Sequence, residues 1–150
     1  MSTIRITKKF SFETGHALYG YDGKCRNVHG HSYKLWVTVI GTPVEDTSHV
    51  KLGMVIDFND LKKIVKEEIV DVFDHATVLN KNTPHSDLAA QLKEHGHHII
   101  LVAYQPTSEN MIADFAERIK RRLPETVKLH SLKLRETETS HASWYASDNA

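Results

Sequence analysis

An α+β fold is what this sequence of 150 residues predicts, with an antiparallel four-stranded sheet and helices packed on one face. Three observations predict it. Segments near both ends of the chain alternate apolar and polar residues with the period of a half-buried strand. Two segments between them repeat apolar residues at helical spacing. The resulting order, strand, strand, helix, short helix, strand, helix, strand, is that of a sheet with its helices in a second layer.

The first strand is read over residues 3–17, "TIRITKKFSFETGHA", where Ile4, Ile6, Phe10, Phe12, Thr14 and His16 share one parity. A turn-rich "YGYDGK" separates it from residues 29–40, in which His29, His31, Tyr33, Leu35, Val37 and Val39 share a side. Two strands therefore carry histidines near their ends. After the loop "TPVEDTSHVKLG", Asp57 stands as a cap before "FNDLKKIVKEEIVDVF", with Leu61, Ile64, Val65 and Val72 at helical spacing. Residues 74–80, "DHATVLN", show no clear period, "PHSDLAAQLKEHG" reads as a short helix closed by Gly96, and "HHIILVAY" reads as a strand. Thr107 caps a helix whose Met111, Ile112, Phe115, Ile119 and Leu123 form one face, and Pro124 helps to end it. Residues 127–137 alternate again, and the tail "SWYASDNA" reads as frayed or as an edge. Strands at both ends leave edges to cover, and joining identical subunits into a closed barrel would cover them.

The length suits one domain, residues 1–150. Lys plus Arg and Asp plus Glu both number 19 and are interspersed, which argues against a nucleic-acid footprint or a membrane anchor and for a small-molecule partner. One cysteine permits no intramolecular disulfide, and "MSTIRITKKF" lacks the apolar run of a signal peptide, so a reducing cytoplasm is expected. Eleven histidines make metal or acid/base chemistry the first thing to test.

Two His-Gly-His triplets compete as metal ligands. In a strand, residues i and i+2 face one way, so His29 and His31 can converge on an ion that His16, ending the neighbouring strand, completes. His95 and His97 sit where a helix ends, with their glycine explained by capping, and are read as a decoy. Three histidines leave one position of a tetrahedral zinc open, whereas a fourth protein ligand closes it into a structural site. Cys25, four residues before His29, fits three readings: that fourth ligand, a nearby working thiol, or an inert buried cysteine.

Other residues carry similar pairs of readings. Asp74 and His75 are a helix-terminal cap and a surface histidine, or a carboxylate that orients an imidazole. Glu136 continues the apolar row of Leu132 and Leu134, so the strand has emerged into solvent, or the carboxylate meets two parallel donors such as a fused pyrimidine presents. Thr107, Ser108 and Glu109 are ordinary caps or part of the same pocket. Lys24 and Arg26 are read as solvated loop charges.

Taken in order, "FSFETGHAL", "CRNVHGHSYKLWVTV", "GMVIDFNDLK", "DHATVLN", "PTSENMIADF" and "LRETET" resemble the 6-pyruvoyl-tetrahydropterin and 6-carboxy-tetrahydropterin synthase family over nearly the whole chain. The resemblance implies the tunnelling fold, in which subunits join sheets into a trimeric barrel and two trimers stack as a homohexamer with active sites between subunits. It implies zinc on His16, His29 and His31, catalysis by Cys25, Asp74 and His75, and pterin anchoring by Thr107, Ser108 and Glu136. The implied substrate is 7,8-dihydroneopterin triphosphate. A cysteine followed after three residues by His-Gly-His is similar to the queuosine-pathway branch, which yields 6-carboxy-tetrahydropterin with loss of acetaldehyde and triphosphate. The 6-pyruvoyl branch and a noncatalytic protein with structural zinc are the competing expectations. Residues 81–105 form a longer connection than compact bacterial members have.

Overall fold

A computed structural model describes all 150 residues, as a six-stranded sheet in the order β4-β3-β1-β2-β5-β6. The strands are β1 (Ile4–His16), β2 (His29–Gly41), β3 (Ala76–Asn80), β4 (Ile99–Val102), β5 (Lys128–Thr137) and β6 (Ser140–Tyr145). The helices are α1 (Phe58–Val65), α2 (Asp71–Phe73), α3 (His85–Glu94) and α4 (Ser108–Lys120). None is long and apolar enough to cross a membrane. β1, β2 and β5 pair antiparallel, as the alternation predicts, and β6 continues the antiparallel order beyond β5. Phe10, Phe12, Tyr33, Leu35, Val37, Leu132 and Leu134 from three of these strands pack with Leu61, Val65, Met111 and Phe115 in one large core.

The expected four-stranded antiparallel sheet is corrected on two counts. β3 and β4 extend it through parallel pairs, β3 against β1 at Thr14–His16 and β4 against β3. β6 is the outer strand, so the tail is an edge with an ordered partner. The helices also do not all lie on one face. Val78 and Val102 join the large core, while their neighbours Leu79 and Leu101 join Ala17, Ala89 and Ile99 in a second cluster beneath α3. A strand covered on both faces loses polar-apolar alternation, which is why "DHATVLN" shows no period.

The helical spacing slips by one residue in the middle. α1 continues through a π-helical stretch, Lys66–Val70, into α2. The wider turn inserts one residue, so Ile69 and Phe73 take the inward positions that Glu68 and Val72 would hold in an unbroken α-helix. Phe73 is accordingly buried and Val72 only half-buried. A bulge at Thr38/Val39 has the same effect on β5, where Leu129 and Leu132 both face the core.

Both expected helix caps are present. Asp57 Oδ1 accepts from the Asn59 N–H at 2.8 Å, and Thr107 Oγ1 accepts from the Asn110 N–H at 3.2 Å. Asp57→Ala is expected to lower stability by about 1 kcal/mol. Urea unfolding checks this, and an unchanged midpoint would show that the cap carries no weight.

Candidate metal centre and its surroundings

The β1–β2 register sets His16 opposite His29 and Thr14 opposite His31. Alternation turns all three imidazoles to the core side, where one ligand nitrogen from each lies within 4.8 Å of the others. The glycine between the histidines has a steric role. Gly30 pairs with Gly15, and a Cβ there would stand 3.2 Å from the Thr14 carbonyl oxygen, so a side chain would push the strands apart just where the rings must meet.

Backbone carbonyls fix two of the rings. His16 Nδ1 donates to the Pro106 oxygen at 2.7 Å, and His29 Nδ1 donates to the Asn27 oxygen at 2.6 Å. A carbonyl only accepts, so both rings carry their proton on Nδ1 and present a lone pair at Nε2. Those two Nε2 atoms face each other at 3.0 Å. Two lone pairs at that distance repel unless a cation lies between them. His31 Nε2 is buried and has no hydrogen-bond partner. The donor set and its carbonyl supports are those of a metal site with oriented imidazole ligands.

Glu136 borders the cluster from β5. Its Oε1 lies 3.4 Å from His16 Nε2 and 3.3 Å from His31 Nε2, and it accepts from the Tyr33 hydroxyl at 3.4 Å. Burial, then the neighbouring carboxylate, holds the Tyr33 phenol far above its ordinary range, so it remains a donor. Glu136 also lines a cavity of about 410 Å³ with Ser108, Glu109, Ser140 and His141. Ser108 Oγ is buried without a partner. Thr107 stands next to this cavity in sequence, but its hydroxyl is spent on the helix cap.

Cys25 lies on a short 3₁₀ turn, Lys24–Arg26, half-buried and free, and its carbonyl accepts from the Leu18 N–H at 3.0 Å. It is outside the 4.8 Å set of ligand atoms. Asp74 and His75 follow α2 and are clamped to β1. Asp74 Oδ1 accepts from the Glu13 N–H at 2.9 Å, and the His75 N–H donates to the Glu13 carbonyl. That Glu13 N–H is the main cause holding the Asp74 carboxyl below its usual range. The two side chains meet, with His75 Nδ1 3.1 Å from Asp74 Oδ1. His75 has φ 61°, a left-handed backbone uncommon outside glycine, and its side chain is 78% exposed. The cavity it lines, with Glu13, Gly15, Gly30 and Ser32, does not include Cys25.

Comparison with known proteins gives this arrangement a family. A profile of the 6-pyruvoyl tetrahydropterin synthase family matches residues 5–147. The chain belongs to that family. It is 39% identical over 142 residues to the 6-carboxy-5,6,7,8-tetrahydropterin synthase of Haemophilus influenzae, covering 94% of this chain and 98% of that protein. A protein of the same name from Synechocystis is 33% identical over 142 residues, covering 94% and 92%. Among solved structures, 6-pyruvoyl tetrahydropterin synthase of Caenorhabditis elegans superposes with a TM-score of 0.69 over 97% of both chains, at 25% identity. An uncharacterised protein of Wolinella succinogenes superposes at 0.78 over 97% of this chain and 99% of that one, and at 22% identity it shares the fold alone. The resemblance read from the motifs is thus borne out, together with the α+β tunnelling-fold subunit.

In this synthase-family chain the convergence of the three histidines that could hold a metal was legible from strand parity. The supporting carbonyls of Asn27 and Pro106 were not, since any residue type supplies a carbonyl. Tyr33 was visible as an inward neighbour of His31, but its contact with Glu136 depends on the β2–β5 register. His95 and His97 are exposed at the end of α3, where Gly96 has φ 85°, and belong to no metal-binding cluster.

Desolvation is the largest cause lowering both His16 and His31 below the ordinary 6.5. Between 6.5 and those lowered values the unfolded chain binds protons that the folded chain refuses, so stability falls as pH drops through that window. The Tm of metal-free protein should therefore decline on acidification from pH 7, and less steeply in His31→Gln. Identical slopes in a thermal-melt series would count against this assignment.

Proposed function

We propose that this protein is a zinc-dependent 6-carboxy-5,6,7,8-tetrahydropterin synthase. It converts 7,8-dihydroneopterin triphosphate with loss of acetaldehyde and triphosphate, in the cytoplasmic route to queuosine. The observation that carries the reading is the convergence of His16, His29 and His31, with facing lone pairs, in a chain whose one thiol is not among the ligand atoms. Full-length similarity to relatives of that name supports the branch. The spacing of Cys25 before His29-Gly30-His31 supports it as well.

His16, His29 and His31 hold the metal. Zinc bound there would make the hydroxyls of the pterin side chain more acidic. Ser108 and Glu136 anchor the ring, with the carboxylate accepting two parallel N–H donors, and Thr107 fixes the start of the helix that carries Ser108. Cys25, as thiolate, takes a proton from one side of the substrate side chain. His75, oriented by Asp74, moves protons on the other.

The active unit is a homohexamer built from trimeric barrels. Two features support this assembly. β3 covers β1 only at Thr14–His16 and Asp74–His75 covers it only at Glu13, which leaves Ile4–Phe12 open along that edge, and β6 ends the sheet on the other side. In addition, His75 is exposed and lines a cavity with His31 that Cys25 does not line, as expected if the site is completed between copies.

Mass spectrometry of products from zinc-loaded protein and 7,8-dihydroneopterin triphosphate tests the reading. 6-Carboxy-tetrahydropterin with acetaldehyde is the expected outcome. 6-Pyruvoyl-tetrahydropterin would move the chain to the other branch, and no conversion would sink the substrate assignment.

A further inference from the structure

Helices cover one face of the β1-β2-β5-β6 sheet, and the strand register fixes what stands on the opposite face. Lys9, Trp36, Lys133 and Ser143 are cross-strand partners in one row, and Ser11, Lys34, Arg135 and His141 form the next. Their neighbours of opposite parity, Phe10, Leu35 and Leu134, lie in the core. With strands about 4.8 Å apart and same-face residues about 7 Å apart, four cations fall within a patch of roughly 10 by 7 Å.

The chain as a whole has no net charge, yet neither row contains a carboxylate. Lys9, Lys34 and Lys133 form no ion pair. Lys34 donates to Ser11 Oγ at 3.1 Å, and Arg135 donates from Nε to the Thr137 carbonyl at 3.2 Å and meets one carboxylate, that of Glu138 at 3.3 Å, whose side chain is 92% exposed. Lys9 and Lys133 both lie over Trp36, their Nζ atoms 5.1 and 5.0 Å from the ring centroid. The indole face attracts each ammonium and holds them in place without neutralising either. Like charges beside one another on a sheet repel, and an anion spanning them removes that repulsion.

We propose that this face is a binding site for a short polyphosphate, centred on Lys9, Lys133, Lys34 and Arg135. Three linked phosphates match several cations spread over such a patch better than one small anion does. The guanidinium supplies a fork of donors and the lysines supply mobile point charges. A patch this small on a neutral chain does not suit a nucleic acid. The site is separate from the metal centre, because His16, His29 and His31 point to the other face. Its existence does not depend on the proposed reaction, although triphosphate released there is one source of the ligand and a free nucleotide is the other.

Isothermal titration of the metal-loaded full-length protein with inorganic triphosphate, and separately with ATP, tests the proposal. Inorganic triphosphate should bind wild type and Cys25→Ala alike. Affinity should fall by more than about tenfold in Lys9→Gln/Lys133→Gln, be largely restored in Lys9→Arg/Lys133→Arg, and weaken with added salt. Equal binding of both ligands supports recognition of the phosphate chain alone, and much tighter ATP supports a nucleotide. Absence of binding to wild type overturns the proposal. So does binding that survives the double Gln variant, or binding lost in His31→Ala but kept in the double Gln variant.

Discussion

Cys25→Ala is expected to keep its metal and to lose turnover by about 10²–10⁴-fold, the range that a positioned proton-transfer group supplies. The three ligand nitrogens converge without the thiol. The backbone link from Leu18 to the Cys25 carbonyl does not involve the side chain, so the turn should survive truncation. Metal content and product formation, measured on the same preparation, decide the matter. Loss of metal together with unfolding would instead make Cys25 a fourth, structural ligand and would remove the catalytic reading.

His31→Ala is expected to weaken metal binding by more than the roughly 10–100-fold that loss of a supporting partner costs, because it removes a direct ligand. It is also the cleaner of the possible ligand deletions. His16 is 2% exposed and donates to the Pro106 carbonyl, so His16→Ala also leaves a buried acceptor unpaired, at about 1–3 kcal/mol. His31 has no such backbone partner. Competition with a chromogenic chelator reads the affinity and thermal melting of the metal-free form reads the fold. Unchanged affinity in a folded His31→Ala would exclude the three-histidine centre.

Much of this site was legible because strand parity is a local property. Phe12, Thr14 and His16 on one strand and His29, His31 and Tyr33 on the next announce an inward row that ends in imidazoles. The order of motifs supplied the family, and the cap residues Asp57 and Thr107 were readable from type and position alone. The illegible parts depend on non-local geometry. β3 shows no clear period because α3 covers the face that solvent would otherwise reach. Phe73 and Leu129 are displaced from the simple period by a π-turn and a bulge, which leave no mark in composition. Glu136 showed its parity but not its neighbours, since its contacts with His16, His31 and Tyr33 arise from three strands meeting.

The short reach of β3 along β1 has a dynamic consequence. In an antiparallel ladder every second amide of a strand points away from its partner, so the amides of Ile4–Phe12 that do not donate to β2 face solvent in a lone copy, whereas that of Glu13 is held by Asp74. These amides should exchange hydrogen at rates close to those of free peptide, while their alternate neighbours should be slowed by the β1–β2 ladder. If the proposed assembly docks a strand from a second copy here, the fast set would become protected and the slow set would barely change. Hydrogen exchange along β1 thus reports assembly one residue at a time, on the same molecules whose turnover is being followed.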